Sequence, residues 1–577
     1  MSAIREGSKL PGGVAALLRL RPGRRLGMTM LIALLAFLSL YPVSMLLYGS
    51  FHTTPPGAAG TFDLSGYRQV FTAETALVLV NTVGISLAKT VPSLALAVLL
   101  AWIIARTDTP ARKALETLIT LPFFIPPILT AMAWGMLGNP QVGAVNQAWR
   151  WITGAQAPLV NIYSYGGIIW HMMQYSTPFL FLFIVEAFRA MDPSLEEASR
   201  MCGASQRQTL WRITLTLMLP ALTTGFLLSF IRGLENFESP LFFGTPAKIQ
   251  VVTTLIYDSI NQRSVPEYQF ATAMSFSVLA LMAALIFWQW KLLGSRSFQT
   301  VTGKAYAPRL VRLGPWRWVT FAICILFFVI AVVLPVGQLL VGSMFKFFGF
   351  YSWDMLTTDH WSETFQDSDI RRGFFNTLVL GLSGATLTMV LGCIVAYVSV
   401  RTRWGGRRVV DVLAWLPWMM PGMVLGVGFL WGFALLPGPV SIYGTIWALL
   451  VAYISLGMPL SARIMSTSYH QLAFDLEECA RVHGAGFWRT LWTIVIALSW
   501  PSIAVGWVLT FFGIMRELSA SILLYSAGSE VLSVVLLRLW GNGQSEVVSV
   551  VGLCTMALVI LFRWAQSRFL ARTIAAG

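Results

Sequence analysis

Apolar runs of eighteen or more residues follow one another along almost the whole of this 577-residue chain. Each is long enough to cross a bilayer core of ~30 Å at about 1.5 Å of helical rise per residue. In lipid a segment must satisfy its own backbone hydrogen bonds, so each run is read as a helix. Only 11% of the residues are charged, against about 25% in soluble domains. A soluble fold is therefore excluded. Twelve spans are predicted, at roughly 28–50, 77–104, 114–137, 167–187, 213–234, 270–293, 318–342, 375–399, 410–434, 442–465, 491–514 and 546–567.

The net charge of +15 raises the question of nucleic acid. Its placement argues against that partner. With the N-terminus inside, the inner loops, tails and adjoining span ends hold 29 of the 40 Lys and Arg and 11 Asp and Glu. The outer side holds 10 and 14, and Lys89 stands within a span. This is the positive-inside bias. Groups such as Arg19, Arg21, Arg24, Arg25 and Arg401, Arg403, Arg407, Arg408 read as topological anchors facing the lipid bilayer, with no nucleic acid. The first apolar run is too long for a signal-peptide core and reads as an uncleaved helix. Cys202, Cys324, Cys393, Cys479 and Cys554 are scattered, and they suggest neither a disulfide framework nor a metal site.

The chain contains one segment twice. Leu195 to Pro220 is LEEASRMCGASQRQTLWRITLTLMLP, and Leu476 to Pro501 is LEECARVHGAGFWRTLWTIVIALSWP. Twelve of 26 positions are identical without a gap. Residues 81–126 likewise align with 376–421, matching Asn81-Thr82 to Asn376-Thr377, Arg106-Thr107 to Arg401-Thr402 and PFFIP to PWMMP. The chain is thus read as a basic N-terminal tail (1–27), a first transmembrane domain (28–293), a cytoplasmic linker (294–317) and a second transmembrane domain (318–577). Six spans per half give both halves one orientation, a parallel repeat about an axis along the membrane normal. Both copies of the Glu-Glu segment then face the cytoplasm, each on a short helix that Gly203 or Gly484 ends.

These residues resemble the EAA loop of the membrane subunits of ABC importers that work with a periplasmic binding protein. The family pattern is Glu-Ala-Ala, three residues, Gly, nine residues, Ile, one residue, Leu-Pro. The first copy has Glu197-Ala198-Ser199, Gly203, Ile213 and Leu215, and the second has Glu478-Cys479-Ala480, Gly484, Ile494 and Ile496. Thr216 and Ala497 stand where the family has Pro, while Pro220 and Pro501 follow four residues later. The resemblance implies an all-α integral membrane fold of about twelve helices, two parallel six-helix repeats like a type I ABC importer permease. It also implies that Glu197, Ala198, Gly203, Glu478, Ala480 and Gly484 couple to two copies of a cytoplasmic ABC ATPase subunit. A periplasmic substrate-binding protein would dock outside. Fusion of two halves, with ENFESPLFFG from Glu235 and MRELSASILLY from Met515, is similar to the ferric-iron-type permeases.

No P-loop is present: the one Gly-Lys pair, Gly303-Lys304, has Phe298 where the first Gly would stand. The expectation is therefore no catalytic residue and no cofactor on this chain, with ATP and Mg on the partner ATPase. Arg232, Glu235 and Glu238 follow the fifth span, and Arg516 and Glu517 the eleventh. By symmetry they are expected together at the outer mouth as a gate or path. Lys89, His171 and Glu186 lie at apparent membrane depth, where ionisable groups are functional by default. His171 reads as a hydrogen-bonding group in the bundle rather than a metal ligand, and Met132, Met136, Met172 and Met173 read as packing. Pro122, Pro126, Pro417 and Pro421 are expected to kink the third and ninth spans. Ferric iron is the first cargo expected, with 2-aminoethylphosphonate, thiamine or a polyamine as alternatives. An ion-coupled secondary transporter is the rival class; it would need intramembrane carboxylates, which the spans hold sparsely.

Overall fold

The computed structural model describes residues 22–293, 310–438 and 440–576. Most of the linker read at 294–317 and most of the N-terminal tail lie outside the described residues. Among the described residues ten helices are long and apolar enough to cross a membrane: Arg25–Phe51, Ala73–Arg106, Tyr165–Ala190, Leu210–Leu234, Tyr268–Trp288, Trp316–Gly342, Ser368–Arg401, Ile446–Gln471, Phe487–Met515 and Ser545–Phe562. Two bent pairs, Arg112–Phe124 with Pro127–Leu137 and Arg407–Met419 with Gly422–Ala434, bring the count to twelve. The protein is an all-helical, multi-pass membrane protein.

Local chemistry explains where the helices start. Thr72 caps the second span at the Thr75 amide, and Ser164 caps the fourth at the Gly167 amide. Asp367 caps the eighth at the amides of Asp369 and Ile370. Each accepts from an amide that has no partner within the helix. The proline sites break the helix outright rather than merely kinking it. The third span turns by 93° and the ninth by 108°. Ile125 and Met420, each just before a proline, are extended, as the proline ring demands. Ile125, Pro126, Met420 and Pro421 are buried, so the interrupted backbone is shielded from lipid by protein.

In each half the second, fourth and fifth spans, or the eighth, tenth and eleventh, form the packed centre. The two halves interlock through their first helices. The first span lies against the ninth: Leu31, Leu35 and Leu38 join Trp404, Val410 and Leu413 in one cluster. Tyr41 donates to the Gly432 carbonyl at 2.7 Å. A Cβ on Gly428 would fall 2.6 Å from the Pro42 carbonyl oxygen, so only glycine permits that approach. The seventh span likewise packs on the third and twelfth.

Candidate functional site: two inner loops and a midplane cluster

The first inner loop is the helix Pro193–Met201, started by Asp192 capping Ser194 at 2.9 Å. The second is Asp475–Val482. Both end alike. Gly203 has φ +85° and Gly484 φ +79°, and the next amide reaches back five residues, Ala204 to the Ser199 carbonyl and Ala485 to the Ala480 carbonyl. A Cβ at either glycine would meet nothing within 4 Å. Conformation, not space, therefore requires glycine here. Just before each turn an apolar side chain stands in the open: Met201 is 89% exposed and Val482 84%. Ala198 and Glu478 are exposed, and Glu197 and Ala480 are half-buried.

The preceding glutamates turn the other way. Glu196 accepts from Thr214 at 2.8 Å. Glu477 is buried and lies 3.4 Å from Arg401. Sequence reading singled out the second glutamate of each pair and missed the first, together with Arg106 and Arg401. The available signal was that both arginines survive at the same place in the repeat. It also missed the π turns Leu210–Thr214 and Leu491–Ile496, where the loops enter the fifth and eleventh spans.

Arg232, Glu235, Glu238, Arg516 and Glu517 come together, but at a different depth from the expected outer mouth. Lys89 stands halfway along the second span, and its Nζ donates to the Ser229 carbonyl at 2.6 Å, to Ser229 Oγ at 2.9 Å and to Ser176 Oγ at 3.1 Å. Ser176 is near the middle of the fourth span. Arg232, one turn beyond Ser229, is therefore near the midplane. The fifth span starts low, at the loop, and is spent before it reaches the outer face. Beyond it the chain continues into the ten-residue helix Val252–Asn261. Asn81 and Thr82 hold the start of that helix, Asn81 Nδ2 donating to the Gln250 carbonyl and Thr82 Oγ1 accepting from the Val252 amide. Asn376 donates to the Gly528 and Glu530 carbonyls, and Thr377 accepts from Leu532, in the same way.

At the midplane each half reaches into the break of the other. The Arg232 guanidinium lies 5.0 Å from the Trp418 ring centre and pairs with Glu235 at 3.1 Å. Arg516 lies 5.3 Å from the Phe123 ring centre and donates to the Phe123 carbonyl at 3.2 Å. Phe123 and Trp418 are equivalent positions of the two proline breaks. Glu517 accepts from the Ala520 amide at 2.9 Å, and Glu238 from Asn236 at 3.4 Å. The arrangement joins the halves by two cation–π contacts and holds acidic groups beside them.

The other membrane-depth groups are occupied within the bundle. His171 is buried, with Thr130 Oγ1 at 2.9 Å from Nε2 and Ser239 Oγ at 2.7 Å from Nδ1. Glu186 is exposed at an inner helix end and pairs with Arg189 at 2.7 Å. Met132, Met136 and Met172 are core. Among the described residues no group of three His, Cys, Asp or Glu converges to hold a metal ion.

Comparison with known proteins agrees with this architecture. The family model described as "Binding-protein-dependent transport system inner membrane component" matches twice, over residues 93–299 and 388–575. The chain is 28% identical over 412 residues to a ferric transport system permease protein, FbpB, of Actinobacillus pleuropneumoniae, covering 70% of this chain and 59% of that one. A putative ferric transport system permease protein, FbpB 1, of Haemophilus influenzae is 29% identical, covering 64% of this chain and 58% of its own. These matches thus span less than two thirds of either relative's length. A Fe(3+)-transport system permease protein, FbpB 2, also of Haemophilus influenzae, is 23% identical, covering 81% and 84%. With both halves matched, the chain belongs to the family of binding-protein-dependent transport system inner membrane components.

Proposed function

We propose that this permease carries ferric iron, delivered by a periplasmic binding protein, between its two halves to the cytoplasm, in the inner membrane of a bacterium. The observation that carries the reading is the matched pair of inner loops. Each is closed by a left-handed glycine and presents one exposed apolar tip, Met201 or Val482, to the cytoplasm. A cytoplasmic ATPase dimer, with its ATP and Mg, offers two equivalent clefts for such a pair. Drawing the loops together would part Arg232 from Trp418 and Arg516 from Phe123 and open the path. In this reading the chain breaks no covalent bond and ATP hydrolysis belongs to the partner. Iron as cargo is supported by the names of the relatives at 28% and 29% identity.

The test is reconstitution with the cognate ATPase and binding protein. Binding protein loaded with ferric iron should stimulate ATP hydrolysis, whereas thiamine, 2-aminoethylphosphonate and a polyamine should not. The pair Gly203→Val and Gly484→Val should abolish the stimulation, because a β-branched residue is strained at positive φ. Stimulation by another ligand would reassign the cargo. Uptake driven by a proton gradient without ATP would overturn the importer reading.

A further inference from the structure

The two inner loops are close copies in sequence, yet their first glutamates bind different spans. In the first half Glu196 accepts from Thr214 at 2.8 Å, and Thr214 ends the π turn by which the loop enters its own fifth span. Arg106, at the inner end of the second span, lies within electrostatic reach of Glu196 but donates to the Met191 carbonyl at 3.3 Å instead. In the second half the repeat puts Val495 in place of Thr214, and valine has no side-chain donor. Glu477 turns instead to the eighth span. Its Oε1 lies 3.4 Å from Arg401 Nε, with the two side chains 5% and 1% exposed. The Tyr397 hydroxyl donates to Oε2 at 3.3 Å, where the first half has Trp102. The Phe474 ring covers the guanidinium at 4.4 Å, and Arg481 reaches the carboxylate from the solvent side at 3.4 Å.

A buried ion pair of this kind resists separation, because either charge alone is left desolvated. The eighth span is a stiff lever. It packs along the tenth and eleventh spans. Near its outer end Asn376 grips the Gly528 and Glu530 carbonyls. Its inner end, Tyr397–Arg401, is a π turn, whereas the second span stays α-helical to Arg106. Single π turns within helices often mark functional positions.

We propose that the second loop transmits the ATPase's motion to the outer side through Glu477 and Arg401, while the first loop pivots on its own fifth span. Glu477, Arg401 and Tyr397 are positioning residues in this scheme, which rests on the reading of the loops as ATPase docking elements. The test uses the full permease with its ATPase in nanodiscs, spin-labelled at Leu476 and Arg403 in one sample and at the repeat-equivalent Leu195 and Asp108 in another. On ATP binding the Leu476–Arg403 distance should hold within about 2 Å, while Leu195–Asp108 should change by up to about one helical turn, ~5 Å. Glu477→Gln should release the second loop and lower solute moved per ATP about tenfold, and Glu196→Gln less than twofold, within the span of measured coupling energies. If Glu477→Gln fails to assemble, the double variant Arg401→Met, Glu477→Met removes both charges, and it should uncouple equally. Equal movement of the two loops, or equal loss in the two glutamine variants, would overturn the inference alone. Failure of the ATPase to bind the wild-type chain would overturn the underlying reading as well.

Discussion

The two halves agree where the backbone must be shaped and differ in how several of their charges are placed and partnered. Asn81-Thr82 and Asn376-Thr377 do one job, as do the left-handed glycines and the two proline breaks. By contrast, Lys89 ties three spans of the first half, while its counterpart Gly384 leaves room for Ile514. Arg516 is half-buried and bonded twice to Phe123, whereas the Arg232 side chain is 53% exposed over Trp418. Shape errors are costly in any repeat of a membrane fold, so geometry is retained. Charges are free to diverge, and a path between unequal walls can treat a charged solute differently from each side.

The strongest way to break this comparison is at Lys89. Lys89→Ala leaves a cavity and strips three acceptors of their donor, so it should cost about 3 kcal/mol. A large fall in thermal unfolding temperature in detergent checks it. Gly384→Ala, at the equivalent place, should move the same midpoint far less, since only the Ile514 methyl must yield.

The midplane arginines give the next effect. On the proposed transport path, Arg516→Ala should weaken the closed arrangement by about 2 kcal/mol, roughly thirtyfold in its population, and Arg232→Ala by about 0.5–1 kcal/mol. ATP hydrolysis without loaded binding protein reads the difference. Equal release by the two variants would remove the asymmetry. The smallest contrast belongs to Asn81 and Asn376, which hold the outer segments of the two halves. Asn376→Ala loses two bonds to carbonyls and should cost about 1–2 kcal/mol, against about 1 for Asn81→Ala with its single backbone bond. Thermal unfolding of the two variants side by side sharpens the contrast.

Much of this was legible in the amino-acid sequence. Hydropathy marked all twelve spans, the repeat marked both loops, and the prolines marked both breaks. The depth of Arg232 and Arg516 was not legible. A count of apolar residues says how long a span is, not how low it starts. The inward turn of Glu196 and Glu477 was missed because helical phase relative to a buried arginine is a tertiary fact. The packing of the first span on the ninth was equally silent, since one lipid-compatible surface resembles another.

That interlock has a consequence for how the protein is made. Tyr41 finds its carbonyl on Gly432, 391 residues later in the chain. At about 5–20 residues per second a ribosome needs roughly 20–80 seconds to cover that distance. Through that interval the first helix can pack on the sixth span of its own half, but the face that meets the ninth stays uncovered. The amino-terminal half is a lodger awaiting its partner until the ninth span emerges. Truncation anywhere before residue 407 therefore leaves the leading helix with the sixth span of its own half but without the ninth.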